Sequence, residues 1–197
     1  MATDSDIFKI KHNNLHPGKG SILIAEPFLQ DAYFQRAVVL LIEHNLNGTM
    51  GFVLNKKTDL VINDFFPDLE KLSEIPIYLG GPIGSNRLFF IHTLGDLIPD
   101  SVKISDGLYF DGDFDTLKQY MIRERSIAGK MKFFLGYSGW TQGQLGSEIE
   151  EDAWIVSHSI NTHIMSANDE TFWRRSMEVM GKKYKTWINF PKDPYLN

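Results

Sequence analysis

Phe133–Trp154, FFLGYSGWTQGQLGSEIEEDAW, decides how the chain is read. Lys132-Phe133-Phe134-Leu135 is a short apolar run that reads as a buried strand bounded by Gly136. Gly136, Gly139, Gly143 and Gly146 follow closely, with Tyr137 and Trp140 between them. Glycine admits positive φ and close backbone approach, so this density predicts a tight, well-specified turn. Gln144–Ala153 then reads as a helix. Leu145, Ile149 and Ala153 fall on one face, and Glu148, Glu150, Glu151 and Asp152 on the others. The expectation is strand, glycine turn, acidic helix.

Such a turn admits several chemistries. Backbone N–H groups before a helix can cradle a phosphate, but no Gly-Lys-Ser/Thr is present and the following helix is acidic. Gly136-Tyr137-Ser138-Gly139 approaches a nucleophile elbow, except that Gly-x-Ser-x-Gly needs its second glycine one residue later. Tyr137 and Trp140 could be amphipathic anchors for a partner. Against these stands a purely structural reading, in which glycines allow close packing and the aromatics fill the gap.

Working outward, 197 residues suit one domain with a substantial core. Hydrophobic content of 43% with 23% charge is that of a globular protein, not a disordered one. A net charge of −5 weighs against a general nucleic-acid binder. The absence of cysteine removes disulfides, thiolate metal sites and cysteine nucleophiles. No apolar run reaches membrane-spanning length and the first twenty residues lack a signal-peptide core, so the expected location is cytoplasmic.

Along the chain, residues 1–19 read as a mobile arm with one helical turn around Ile7, Phe8 and Ile10. Strands are expected at 21–25, 38–42, 50–54, 76–79, 87–92, 108–110 and 154–156, with 38–54 forming a hairpin about Asn45-Leu46-Asn47-Gly48. Residues 63–72 are weakly helical and broken by Pro67, and 98–104 are ambiguous. Asp113 caps a helix to about Ser126, and Asn168 caps another that Gly181 closes. Residues 182–197 read as a basic, aromatic extension. Strands and helices do not alternate regularly, which favours α+β over a doubly wound sheet.

The ordered set of Gly20-Ser21-Ile22-Leu23-Ile24-Ala25, Leu41-Ile42-Glu43-His44, Gly51-Phe52-Val53-Leu54-Asn55, Gly80-Gly81-Pro82, Leu135-Gly136-Tyr137-Ser138-Gly139-Trp140, Gln144-Leu145, Trp154 and Trp173-Arg174 resembles the YqgE/AlgH family of bacterial proteins. The resemblance covers roughly residues 20–181. It implies a compact α+β domain with a mixed, barrel-like sheet flanked by helices, and a label of transcriptional regulator for some members. It supplies no reaction, cofactor or catalytic residue. The family often has alanine where Ser138 stands, which weakens Ser138 as a nucleophile, and the extension after Gly181 lies past the family's usual end.

Three site hypotheses follow. Glu43 and His44, Asn55 and the N–H groups of Gly80 and Gly81 could gather at strand ends as a polar ligand site, with His44 as an acid or base. The bland alternative has them bonding nearby loop backbone. Tyr137, Ser138 and Trp140 would extend a binding surface from the central turn. Arg174, Arg175, Lys182, Lys183 and Lys185, with Tyr184 and Trp187 interleaved, form the chain's one basic patch, yet no helix and short turn are visible before 168–181 to make a helix-turn-helix. Metal binding is disfavoured: His158 and His163 are wrongly spaced, His44 and His92 would have to meet in space, and Glu148–Asp152 reads as a solvated face. The sequence reading is a single α+β binding or regulatory module for a protein or small ligand, without cofactor or metal. The alternatives are a DNA-contacting regulator and a hydrolase using Ser138 or His44.

Overall fold

β1 (Ile22–Ala25), β2 (Val38–Asn45) and β3 (Gly48–Val53) form an antiparallel start to the sheet, and the expected hairpin closes where Asn45 pairs with Gly48. Their apolar runs are continuous because both faces are covered. Ile22, Ile24, Val38 and Leu40 enter one core cluster, while Leu23, Ala25, Val39 and Leu41 enter another on the opposite side. The computed structural model describes residues 13–190; the suggested turn around Ile7, Phe8 and Ile10 and residues 191–197 lie outside the described residues.

The remaining strands are β4 (Lys57–Val61), β5 (Pro76–Leu79), β6 (Ile83–His92), β7 (Val102–Ser105), β8 (Leu108–Phe110), β9 (Met131–Thr141) and β10 (Trp154–Ser157). They join in the order β10-β1-β2-β3-β9-β6-β8-β7, with β5 also on β9 and β4 on β5. The β5–β9 pair is parallel and every other pair among the described residues is antiparallel. The fold is α+β with a mixed sheet, as expected, but the sheet is open: β10 and β7 end it without pairing, so no barrel closes.

The largest departure from the sequence reading is the central stretch. The glycine segment expected as a turn is instead the second half of β9, an eleven-residue strand that runs through Gly136 to Thr141. Its first half, Met131–Leu135, pairs with β5 and β6; its second half, from Ser138 on, pairs with β3. Gly136 makes this exchange of partners possible. It sits at φ +66°, and a Cβ there would lie 2.6 Å from the Gly81 carbonyl oxygen and 2.8 Å from that of Ile83. A Cβ on Gly80 would lie 2.2 Å from the Gly136 carbonyl oxygen. The glycines serve a close crossing of backbones in which no side chain fits.

Helices cover the faces. Asp113 caps α1 (Phe114–Glu124) by accepting from the Thr116 N–H at 2.7 Å, and Leu117 and Met121 bury its inner stripe. α2 (Gln144–Glu150) ends three residues before the expected Ala153, because Asp152 at φ +63° turns the chain into β10. α3 (Asn161–Ser166) was not anticipated. α4 (Glu170–Val179) is capped by Asp169 rather than Asn168, its carboxylate accepting from the Thr171 N–H at 2.8 Å. Beyond Gly181, α5 (Lys182–Ile188) buries Tyr184, Trp187 and Ile188 in the main core. The described part of the expected extension is therefore a packed helix of this domain, its aromatics pointing inward and not into solvent. No described helix is long and apolar enough to cross a membrane.

Candidate functional site

The expected strand-end cluster is not assembled. Glu43 and His44 lie exposed at the turn end of the β2–β3 hairpin, where the His44 ring Nδ1 meets the Thr49 hydroxyl at 2.7 Å. Asn55 is buried at the opposite end. Its Oδ1 accepts from the Val38 N–H at 2.9 Å and its amide donates to the Arg36 carbonyl at 2.9 Å, so it closes the hairpin's open end. Antiparallel pairing separates the two groups, because the strand that starts at the turn carries its last residue away from it. The Gly80 N–H is not available either: it donates to the Leu135 carbonyl at 2.8 Å as part of the crossing at Gly136.

Ser138 is 0% exposed and its hydroxyl donates to the Gly80 carbonyl at 3.0 Å. A nucleophile elbow presents its serine at a turn. This serine lies mid-strand in the interior with its proton committed to backbone, so it is no accessible nucleophile. His44 and His92 stand at opposite ends of β9's neighbours, since His44 pairs with Thr49, which pairs with Trp140, whereas His92 pairs with Met131. Among the described residues no three His, Asp or Glu side chains come together.

What the structure does bring together is Glu43, Tyr137 and Trp140. With Thr49, Met50, Ile83 and Gly139 they line a shallow cleft of about 380 Å³ between the hairpin turn and the second half of β9. Thr49, Asn45, Asn47 and Thr141 give it a polar rim; Tyr137, Met50 and Ile83 give it an apolar floor. Gly139, unlike Gly136, does not take positive φ. A Cβ at Gly139 would come within 2.8 Å of Ile83 Cδ1, so its lack of a side chain keeps the floor open.

Behind the cleft, Trp140 is only 5% exposed and packs edge-on to Trp154 at 5.9 Å and against Phe34 at 6.1 Å. Glu148 of α2 accepts from both indoles on one oxygen, Oε2, at 2.8 Å from Trp140 Nε1 and 2.8 Å from Trp154 Nε1. Its other oxygen accepts from Gln144 at 2.9 Å. Sequence reasoning missed this role by taking the acidic run as a solvated face. The available signal was that Glu148 lies one helical turn from buried Leu145, beside two tryptophans whose N–H groups needed acceptors.

The basic patch is divided. Arg174 and Arg175 are exposed on α4 and Lys185 on α5, while nothing is described of the Lys182 and Lys183 side chains. One expectation needs correction: α3 and a three-residue connection do precede α4, so a helix and short turn are present. The outward face of α4, however, carries Glu170 and Glu178 beside Arg174 and Arg175.

The comparisons with known proteins agree with this architecture. The AlgH-like family model matches residues 22–185. A "UPF0301 protein" of Parabacteroides distasonis is 63% identical over 198 residues, covering 100% of both chains, and one of Bacteroides thetaiotaomicron is 46% identical, also over 100% of each. The solution structure of the AlgH protein from Pseudomonas aeruginosa superposes with a TM-score of 0.67 at 26% identity, covering 88% of this chain and 94% of that one. A crystal structure from Corynebacterium diphtheriae shares the fold with a TM-score of 0.73 at 21% identity, covering 92% and 95%. With its fold, its motif order and its full-length relatives in accord, the chain belongs to the AlgH-like family.

Proposed function

We propose that this protein is a non-catalytic binding module whose ligand, a small amphipathic molecule that is neutral or cationic, sits in the Glu43–Tyr137–Trp140 cleft. The observation that carries the reading is the convergence of those three residues on one opening. The cleft's size falls within the range of small-ligand sites, about 300–1,000 Å³. Glu43 offers the one carboxylate on the rim and Tyr137 an aromatic face with a hydrogen-bonding tip. Ser138 faces inward, and His44 bonds to Thr49, so neither is set beside the other as nucleophile and base.

Duplex DNA is not the proposed ligand. The α4 face that would have to enter a groove mixes two arginines with two glutamates, whose carboxylates oppose contact with phosphates. Location in the cytoplasm is proposed on the cysteine-free composition. The test is to purify the full chain without denaturation, release bound small molecules with acid, and compare them by mass spectrometry with those from Tyr137→Ala. A compound present in near-stoichiometric amount with the parent protein and lost from the variant supports the reading. The same small-molecule content in both would remove it.

A further inference from the structure

Lys132 is the second residue of β9 and is 4% exposed. It shares a strand face with Phe134, which is fully buried, so its amine is carried into the interior on the side covered by the connection between α3 and α4. There it donates to the Ala167 carbonyl and stands 3.2 Å above the centre of the Tyr78 ring. Among the described residues no carboxylate pairs with it. Lysine is almost never buried unless paired with an acid. Lys132 also lines a cleft of about 380 Å³, together with Tyr78, Pro76, Ile127, Met165 and Arg125.

We propose that this second cleft captures small carbonyl compounds carrying an acidic group, such as 2-oxo acids, by forming an imine on Lys132 with Arg125 receiving the carboxylate. The proposal is independent of the ligand assigned to the Tyr137 cleft. In the step, the Lys132 nitrogen lone pair forms a C–N bond to the carbonyl carbon and the carbonyl oxygen takes up a proton. The resulting carbinolamine loses its hydroxyl with a second proton as water, leaving C=N. No oxidant or further reactant is required. The imine nitrogen, when protonated, remains a cation over the Tyr78 face and keeps that interaction.

Burial supports the chemistry. Without a counter-charge, desolvation lowers the Lys132 amine from the ordinary lysine value to about 7, so much of it is neutral and nucleophilic at physiological pH. The groups around it do not reverse this. Tyr78, on β5, is itself pushed up by burial and then by Asp169, so it stays neutral. Arg125 and Glu74 lie on the exposed rim. A fully solvated lysine amine is, by contrast, ordinarily protonated at this pH.

The test uses the full chain at neutral pH with pyruvate and cyanoborohydride, followed by peptide mapping. The expected result is a carboxyethyl group on the Lys132 peptide, in excess over any surface lysine by on the order of tenfold or more, given the larger neutral fraction. Lys132→Arg and Lys132→Met should lose that adduct alone. Arg125→Ala should reduce labelling by pyruvate but not by neutral acetone. A parallel reaction with formaldehyde and cyanoborohydride, the smallest carbonyl probe, reads the amine's reactivity without demanding a fit. The proposal is overturned if Lys132 stays unmodified by both probes while surface lysines react. It is equally overturned if pyruvate labels lysines in proportion to their exposure. Labelling by pyruvate that is equal in the parent and in Arg125→Ala would strike out the acidic group.

Discussion

The two halves of β9 border two clefts of equal size, about 380 Å³ each, with opposite chemistry. Beyond Gly136, the strand pairs with β3 and presents Tyr137 and Gly139 to an open groove rimmed by Glu43 and amides. Before Gly136, it pairs in parallel with β5 and buries an unpaired lysine against Tyr78. One strand thus supplies a solvated hydrogen-bonding site and a desolvated amine. The difference arises from the side chains each half carries and from the neighbour each half pairs with. It teaches that the switch of partners at Gly136 is the structural event on which both sites depend.

That dependence gives the largest expected effect. Gly80→Ala and Gly136→Ala each place a Cβ within 2.6 Å of backbone oxygen, where no side chain can rotate away. Combining left-handed strain at Gly136 with overpacking, each should cost roughly 3 kcal/mol or more, read by denaturant unfolding, and should damage both clefts together. If either variant kept full stability, the crossing would not have the geometry described.

Effects confined to one half come next. Trp140→Ala should lose about 3–5 kcal/mol, since the ring is interior to the second half alone. Glu148→Ala leaves two buried indole N–H groups without their acceptor, so a loss of about 1–3 kcal/mol is expected. Neither should alter labelling of Lys132. A change there would show that the two halves are coupled.

The first half should announce itself through pH. Lys132 has a folded value near 7 and an unfolded value near 10.5, so between these the unfolded chain binds the extra proton. Stability then rises with pH across that window, by about 3–5 kcal/mol from this group, and the rise should vanish from Lys132→Met. A matching pH profile for the variant would mean the amine is not desolvated. His92 acts on the acid side. Its Nε2–H faces the Asp111 carbonyl at 3.1 Å and the Ser101 hydroxyl at 2.9 Å, while Nδ1 accepts from the Leu94 N–H at 3.2 Å. This bonding fixes the neutral ring, and burial lowers its proton affinity against a smaller opposing pull from Asp111. Its contribution is fully present above pH 6.5 and is lost as the pH falls below that value, so unfolding midpoints of the parent should drop in acid more steeply than those of His92→Gln.

The sequence revealed the parts whose burial is written in runs of apolar residues. β1, β2, β5 and the inner stripe of α1 were legible because each is covered on a face that local periodicity records. β4 was not, since Lys57–Val61 is mostly exposed and polar and joins the sheet only by pairing with β5. The glycine stretch was misread because glycine fits a turn and a backbone crossing equally well. Only the position of Gly80 and Gly81 over Gly136 decides between them. Half of the first cleft was legible through Glu43, Tyr137 and Trp140, whereas Asn55 belonged to the far end of the hairpin. Lys132 passed unnoticed as the polar edge of an apolar run. Its burial depends on the α3–α4 connection, thirty-five residues away in the chain.

The smallest expected effect is also the most telling for function. Tyr137 is half-buried in the cleft floor and packs edge-on to Phe89, so Tyr137→Ala should cost less stability than Trp140→Ala while removing the ligand's aromatic contact. The direct measurement is a two-dimensional NMR titration of the parent chain and Tyr137→Ala with the compound released from the native protein. The expected result is saturable shifts confined to Glu43, Thr49, Met50, Tyr137 and Gly139 in the parent and absent from the variant. Shifts clustered away from this cleft, or unchanged by Tyr137→Ala, would contradict its assignment as the binding site.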